Sequence, residues 1–196
     1  NGGGWWWYFL RSVSCIFGTF PTARLVAGLL GHDPTEGGSR NPGASNVYRV
    51  AGVKAGILVL TGDLLKGFTP ALICYLIDGR FLGLLAGVSA MLGHIFPATR
   101  NFSGGKGVAT IGGVGIALYP LVAVIAILLW LPTMKLSRRA SVGSFVLMVV
   151  FPIGVLISSS GSLKEFFVSL GASLVVLSRH RGNIQRLLSG DEQVID

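Results

Sequence analysis

Two glycine-rich segments of this chain combine backbone amides with fixed positive charge, a combination that binds anions. The first runs from residue 37 to 46 and continues to Arg49. Its glycines let N–H groups converge, its Ser and Asn side chains add hydrogen-bond donors, and its arginines add charge. The candidate phosphate contacts in this segment are Ser39, Arg40, Asn41, Gly43, Asn46 and Arg49. A capped loop between two membrane spans, whose arginines mark the cytoplasmic side, would have the same composition.

The second segment is Gly104-Gly105-Lys106, which leads directly into an apolar helix. Free amides, the positive end of the helix dipole and the lysine ammonium would then point at one spot. A Walker A loop would need glycine where Arg100 stands and Ser or Thr where Gly107 stands, so nucleotide hydrolysis is not indicated. The alternative is a glycine hinge followed by a lysine that reaches toward the membrane surface.

Asp63 and Lys66 form a candidate pair inside an apolar segment. They are three residues apart, close enough to pair on one helix face. Ionised groups within a span are costly and usually turn inward, toward a partner or a wet cavity. A self-neutralising pair that locks helix packing and a direct contact with substrate are both compatible with this pattern.

Two further groups of hydrogen-bond donors stand at the ends of apolar segments. His180 and Asn183 follow the last apolar run among several arginines, and they would share a face if the helix continues. A basic tail of this kind also serves as a simple topological anchor. Ser141 and Ser144 begin another apolar run, where they could contact substrate or cap the helix.

Signatures of covalent, metal or cofactor chemistry are missing from the sequence. Neither His32 nor His94 begins an HxxxxD acyltransferase box, and there is no GxSxG elbow. Cys15 and Cys74 lie in apolar stretches without metal-ligand spacing. We therefore expect no metal, no organic cofactor and no disulfide framework.

The composition indicates that membrane spans must position these residues. Hydrophobic residues make up 51% of the 196 residues, charged residues make up 12%, and the mean hydropathy is +0.68. The formal charge of +8 comes mostly from Lys and Arg between or beside apolar runs. Topology and anionic lipid explain that pattern better than nucleic acid does. We expect a single membrane domain, residues 1–196, and no nucleic-acid partner.

Apolar runs predict spans near residues 8–30, 52–77, 81–97, 107–134, 140–160 and 165–179. Six crossings would place basic residues on both sides of the membrane, against the positive-inside rule. A break at Tyr119-Pro120 divides the fourth run into two short helices and brings eleven basic residues to one side. The resulting prediction is an all-α integral membrane protein with seven transmembrane helices, the N-terminus outside and the C-terminus cytoplasmic.

Four segments, taken in order, resemble the motifs of the bacterial acyl-phosphate:glycerol-3-phosphate acyltransferases, the PlsY family. They are GSRNPGASN at 38–46, GDLLKG at 62–67, GHIFP at 93–97 with FSGGKGVAT at 102–110, and the tail at 179–192 with Arg179-His180, Asn183-Ile184, Arg186, Gly190 and Glu192. Thr19, Arg40 and Pro42 depart from the usual pattern of that family. The departure makes Thr19 a weak candidate for function, and the activity is still expected.

The resemblance implies an enzyme of the bacterial inner membrane whose active site faces the cytoplasm. Its substrates would be acyl phosphate and glycerol 3-phosphate, and its products lysophosphatidate and phosphate; it indicates no protein partner. The positions that match glycerol 3-phosphate contacts of the family are Ser39, Arg49, Lys106, His180 and Asn183, with Ser141 or Ser144 as a further candidate. The first glycine-rich loop matches the acyl-phosphate loop of the family.

The catalytic candidates are His180, Asn183 and Ser39. The leaving phosphate can take the proton of the attacking hydroxyl itself, or His180 can act as the base, because the neighbouring arginines favour its neutral form. An organic-phosphate transporter is the main alternative, since carriers also bind anions at basic glycine-rich sites. A lipid-binding scaffold is a third alternative, and it leaves the ordered motifs without a purpose.

Overall fold

A computed structural model describes residues 4–194, and every regular element within that range is helical. A short 3-10 turn, Ala98–Arg100, lies between α3 and α4. The chain divides into two compact units, Asn1–Leu118 and Tyr119–Asp196. The helices are α1 (Trp5–Gly18), α2 (Thr22–Gly28), α3 (Ala44–Ile95) and α4 (Val108–Leu118) in the first unit, and α5 (Pro120–Ser137), α6 (Ala140–Ser158), α7 (Leu163–Ser178) and α8 (Arg181–Ser189) in the second.

The first apolar run contains two helices, so the predicted single span at 8–30 is wrong. Helix α1 ends at Gly18, and α2 begins at Thr22 after Pro21. Proline has no N–H to donate and disfavours helical torsions in the residue before it. Hydropathy is continuous across this point, which is why the apolar pattern alone predicted one helix.

Helix α3 is bent back on itself at Asp78 and Gly79, whose backbone torsions are not helical. Lys66 Nζ lies 3.5 Å from His94 Nδ1, although 28 residues of straight helix would separate them by about 42 Å. The bend therefore makes α3 a helical hairpin. Its two arms correspond to the second and third predicted spans.

Helix α4 packs on the first arm of α3 with almost no side chain between the two backbones. A Cβ on Gly67 would lie 1.9 Å from the carbonyl oxygen of Thr110, and a Cβ on Gly113 would lie 2.0 Å from that of Leu64. Small residues at helix contacts in membranes allow this approach. Gly113 therefore has a structural role at this helix contact.

The second unit begins at the predicted break. Tyr119 has non-helical torsions and Pro120 is the first residue of α5, a position where the missing proline N–H costs no helical hydrogen bond. Helix α6 packs on α5 through its glycines, for a Cβ on Gly143 would lie 2.6 Å from the Trp130 indole. The Tyr119 hydroxyl donates to the buried Glu165 carboxylate in the first turn of α7 at 2.8 Å.

Within residues 4–194, three helices are long and apolar enough to cross a bilayer by length and composition. They are Ala44–Arg100, which includes the α3 hairpin, Pro120–Ser137 and Ala140–Ser158. Many large apolar side chains of α5 are exposed, as expected of a surface that faces lipid. They include Leu121, Val124, Ile125, Ile127, Leu128 and Leu129.

Candidate functional site

The first glycine-rich loop is held together by the side chain of Asn46, which is buried. Its Oδ1 accepts from the Ser39 backbone N–H at 2.7 Å. Its Nδ2 donates to the carbonyl oxygens of Pro34 at 2.7 Å and Gly37 at 3.1 Å. Both amide hydrogens are thus used within the loop. Asn46 thus shapes the loop that carries Ser39, and its contact with substrate stays a prediction.

The backbone around Ser39 is tightly turned. Gly38 and Arg40 both have left-handed torsions, with φ of 57° and 55°. The N–H of Arg40 donates to the carbonyl of Gly37 at 3.0 Å. The Arg40 side chain is exposed, whereas Ser39 and Arg49 are half-buried. A charged group on this loop is therefore accessible, as the anion prediction requires.

The start of α3 directly follows this loop. The carbonyl of Gly43 accepts from the N–H groups of Asn46 and Val47, each at 3.0 Å. Asn41 and Gly43 are half-buried beside this first turn. The amides ahead of Asn46 belong to the N-terminus of the helix, which carries the positive end of its dipole. This turn and the loop together present donors and positive charge.

The second glycine-rich segment differs from its prediction. The N–H groups of Gly104 and Gly105 donate to the carbonyls of Ile95 and His94, each at 3.2 Å, so these two amides are not free to bind an anion. They satisfy carbonyls at the end of α3 that have no helical donor. Lys106, half-buried, remains the candidate contact in this segment.

The buried pair predicted within the second span is present and includes a third residue. Lys66 Nζ lies 2.6 Å from Asp63 Oδ1. The Nδ1 of His94 lies 3.5 Å from Lys66 Nζ and 3.7 Å from Asp63 Oδ1. All three side chains are buried. This geometry supports the packing interpretation, and a substrate contact by Asp63 or Lys66 stays a prediction. His94 is a member of this cluster that the sequence patterns did not predict.

In the second unit, His180 lies between two helices, so the helix does not continue through it. Helix α7 ends at Ser178, and His180 precedes the first residue of α8. Its buried ring packs edge to face on Phe145, with centroids 5.6 Å apart. Nδ1 lies 2.8 Å from the Val176 carbonyl oxygen. A carbonyl can only accept, so Nδ1 carries a proton, and Nε2 is the nitrogen that holds the lone pair whenever the ring is neutral.

Three donors converge on the buried carboxylate of Glu192. Ser141 Oγ donates to Oε1 at 2.7 Å, Asn183 Nδ2 donates to the same oxygen, and Arg186 Nε donates to Oε2 at 2.8 Å. Burial raises the pKa of Glu192, but these hydrogen bonds and the Arg186 charge outweigh burial and hold its pKa below the ordinary value of 4.5. The carboxylate is therefore ionised at neutral pH.

Neither serine of α6 caps its helix. Ser141 donates to Glu192, and Ser144 donates to the carbonyl of Ala140 in its own helix at 3.0 Å. Arg139 stands at the cap position, without a side-chain capping hydrogen bond. Ser144 therefore has a local partner, whereas Ser141 joins Asn183 on one carboxylate.

The described geometry brings some predicted residues together within each unit. It joins Ser39 to Asn46 and Asp63 to Lys66 in the first unit. In the second unit, it joins Ser141 to Asn183 through Glu192, which sequence analysis did not select. The available signal for Glu192 was a glycine at the end of a short helix with a glutamate two residues later. Within residues 4–194, no group of three or more His, Cys, Asp or Glu residues could hold a metal ion.

Comparison with known proteins gives consistent matches over nearly the whole chain. The family model described as glycerol-3-phosphate acyltransferase matches residues 8–190. The glycerol-3-phosphate acyltransferase of Pseudomonas aeruginosa (strain LESB58) is 38% identical over 191 residues, which cover 94% of this chain and 97% of that protein.

Two solved structures are similar in both fold and sequence. One is PlsY (YgiH), an integral membrane glycerol 3-phosphate acyltransferase, in its glycerol 3-phosphate form: TM-score 0.90 and 34% identity, with 97% of this chain and 96% of that chain covered. The other is its lysophosphatidic acid form, with a TM-score of 0.88, 35% identity, and 97% and 95% covered. Together with the family match, this similarity shows that the chain is an integral membrane protein that belongs to the glycerol-3-phosphate acyltransferase family.

Proposed function

We propose that this chain transfers a fatty acyl group from acyl phosphate to the sn-1 hydroxyl of glycerol 3-phosphate, giving lysophosphatidate and phosphate. The observation that carries the proposal is its similarity to the glycerol 3-phosphate form of PlsY across 97% of the chain, at a TM-score of 0.90. The family match from residue 8 to 190 includes both units, which supports one acyltransferase domain over the whole chain.

The donor is proposed on chemical grounds. An acyl phosphate is a mixed anhydride that already has a good leaving group, so the protein needs to supply positioning and positive charge more than a nucleophile. The loop around Ser39 and Arg40, with the amides of the first turn of α3, suits the phosphate of such a donor. Ser39, Arg49, Lys106, His180 and Asn183 are proposed to contact glycerol 3-phosphate, as the family resemblance implies.

In the proposed reaction, the sn-1 hydroxyl oxygen forms a bond to the acyl carbonyl carbon, and the bond from that carbon to the phosphate oxygen breaks. The departing phosphate takes the hydroxyl proton. His180 is the alternative base, because Nδ1 donates to the Val176 carbonyl and leaves Nε2 as the nitrogen that would accept the proton. His180→Ala should weaken glycerol 3-phosphate binding more than it lowers saturated turnover. A collapse of saturated turnover that imidazole restores would assign the base to His180.

The proposed topology has seven spans in a bacterial inner membrane, with the N-terminus outside and the active site cytoplasmic. The spans are α1, the two arms of α3, and α4 to α7. Cysteine labelling with a membrane-impermeant maleimide tests it in a background without Cys15 and Cys74. Lys164→Cys should label in intact cells, and Arg138→Cys only after permeabilisation; both side chains are exposed. Labelling of Arg138→Cys in intact cells would contradict the topology.

The activity is tested by giving the purified protein glycerol 3-phosphate with palmitoyl phosphate, palmitoyl-CoA or palmitoyl-acyl-carrier protein in separate assays. Lysophosphatidate from palmitoyl phosphate alone is the expected result. The organic-phosphate transporter has no support among the relatives reported above. Uptake of glycerol 3-phosphate into proteoliposomes, with no product from any donor, would nevertheless overturn the enzyme proposal.

A further inference from the structure

The position of Glu192 is determined by how α8 ends. Gly190 has a left-handed φ of 84°. The N–H of Asp191 donates to the carbonyl of Arg186 at 2.8 Å, and that of Gly190 donates to the carbonyl of Leu187 at 3.4 Å. This is a Schellman ending, which reverses the chain after a helix and favours glycine. The reversal returns Glu192 to the helix, where Arg186 Nε meets its carboxylate.

The Glu192 carboxylate decides which atoms its partners can offer to a ligand. An ionised carboxylate only accepts hydrogen bonds. The Ser141 hydroxyl has one hydrogen, and it donates that hydrogen to Glu192 Oε1 in a hydrogen bond. Ser141 Oγ can therefore act toward another group only as an acceptor. Glu192 also takes one hydrogen of the Asn183 amide. That contact fixes which side of the amide carries Nδ2 and which carries Oδ1.

We propose that Glu192 is a positioning residue of the acyltransferase, holding Ser141 and Asn183 so that their oxygens accept hydrogen bonds from the hydroxyl groups of glycerol 3-phosphate. This inference rests on the proposed function and assigns a role within it. In the proposed role, Glu192 itself does not contact substrate. It acts through Ser141 and Asn183.

The chemistry of the acceptor substrate explains why hydroxyls are the partners. A phosphate dianion offers acceptors only, so it needs donors such as arginine, lysine and backbone amides. Oxygen atoms oriented by a buried carboxylate would repel it. The hydroxyls of glycerol each carry a hydrogen to donate. The phosphate end of the substrate therefore needs hydrogen-bond donors, and the hydroxyl end needs acceptors. Ser141 and Asn183, oriented by Glu192, supply acceptors.

Glu192 could instead serve only to hold the tail against α6, and the kinetics expected for that structural role differ from those expected for a positioning role. The test compares wild type with Glu192→Gln, using palmitoyl phosphate as donor and two acceptors: glycerol 3-phosphate and 3-hydroxypropyl phosphate, which lacks the sn-2 hydroxyl. We expect KM for glycerol 3-phosphate to rise about tenfold, as for the loss of one hydrogen bond between substrate and protein. KM for palmitoyl phosphate should change less than about twofold, and the preference for glycerol 3-phosphate should fall about tenfold.

Asp191→Asn is the matched control, because Asp191 is the neighbouring acid, is exposed, and accepts its side-chain hydrogen bond from the nearby Ser189. Its kinetics should equal those of wild type. If Glu192→Gln lowers turnover equally with both acceptors and leaves KM unchanged, the positioning role is overturned. No product from wild type with any donor would instead overturn the proposed function, which separates the two failures.

Folding is monitored by the thermal unfolding midpoint in detergent and by size-exclusion chromatography. If Glu192→Gln does not give folded protein, Glu192→Asp replaces it. This variant keeps the charge and shortens the side chain by one methylene, which withdraws the carboxylate from Ser141 and Asn183. A folded Glu192→Asp protein must show the same loss of acceptor preference. An unchanged preference in that protein would overturn the proposal.

Discussion

Gly105 lies against the imidazole of His94 so closely that a Cβ on Gly105 would be 2.0 Å from His94 Nε2. The ring cannot easily move away, because its Nδ1 lies within 3.7 Å of both Asp63 Oδ1 and Lys66 Nζ. The second glycine-rich segment thus packs against the buried cluster of Asp63, Lys66 and His94. The glycine that seemed to free an amide for phosphate is needed for this close packing.

Gly105→Ala should therefore destabilise the protein by about 1–3 kcal/mol, the usual cost of overpacking a close contact. It should also lower kcat/KM for glycerol 3-phosphate, because the next residue is Lys106. Thermal unfolding in detergent and steady-state kinetics measure the two effects. Gly171→Ala is the control, since a Cβ there meets nothing within 4 Å. A Gly105→Ala protein as stable as the control would contradict the packing seen here.

Two adjacent glycines of α4 make a second, internally controlled pair. A Cβ on Gly113 would be 2.0 Å from the Leu64 carbonyl oxygen, whereas a Cβ on Gly112 would meet only the Leu64 side chain at 3.5 Å. Gly113→Ala should lower the unfolding midpoint by separating α4 from α3. Gly112→Ala should leave the midpoint unchanged or raise it slightly, because alanine favours helix. Equal midpoints for the two variants would be incompatible with backbone contact at Gly113.

The parts of the fold that the sequence predicted are those that depend on local residue type. Hydropathy and charge predicted the membrane protein and the break at Tyr119-Pro120, because both depend on local residue type. Hydropathy missed the interruption at Pro21, where the residues on both sides are equally apolar. The motifs predicted the family, which the comparisons confirm.

Contacts between distant residues could not be predicted from these patterns. The roles of Asn46 in the loop, of Gly104 and Gly105 against His94, and of Glu192 on Asn183 depend on tertiary placement. A motif shows that a polar residue is present, but it does not show which other part of the protein that residue bonds. Asn46 shows this most directly, because both of its amide hydrogens go to backbone carbonyls.

The pair of Asp63 and Lys66 offers a test between packing and substrate contact. Asp63→Asn leaves the Lys66 ammonium buried beside a neutral group, and Lys66→Met leaves the Asp63 carboxylate in the same position. Removal of one member of a buried ion pair typically costs about 3–5 kcal/mol. The double variant removes both charges and should recover most of the lost stability. Thermal unfolding of the two single variants and the double variant in detergent measures this.

Activity of the double variant then separates the two roles. If the pair serves packing, the recovered protein should turn over glycerol 3-phosphate at a rate near that of wild type. If either side chain binds substrate, the double variant should be stable and yet inactive. A double variant less stable than either single variant would contradict the self-neutralising pair itself.

Glu192 also gives stability a defined dependence on pH. Its pKa in the folded protein is lowered from 4.5, so folding favours the ionised carboxylate. This stabilisation is fully present above pH 4.5 and is lost as the pH falls through the lower pKa of the folded state. Thermal unfolding of wild type and Glu192→Gln between pH 7 and pH 3 measures it. The difference between their midpoints should narrow below about pH 4.5, since wild type alone loses this contribution. If the difference between the two midpoints stays constant from pH 7 to pH 3, then Ser141, Asn183 and Arg186 do not stabilise the ionised form of Glu192.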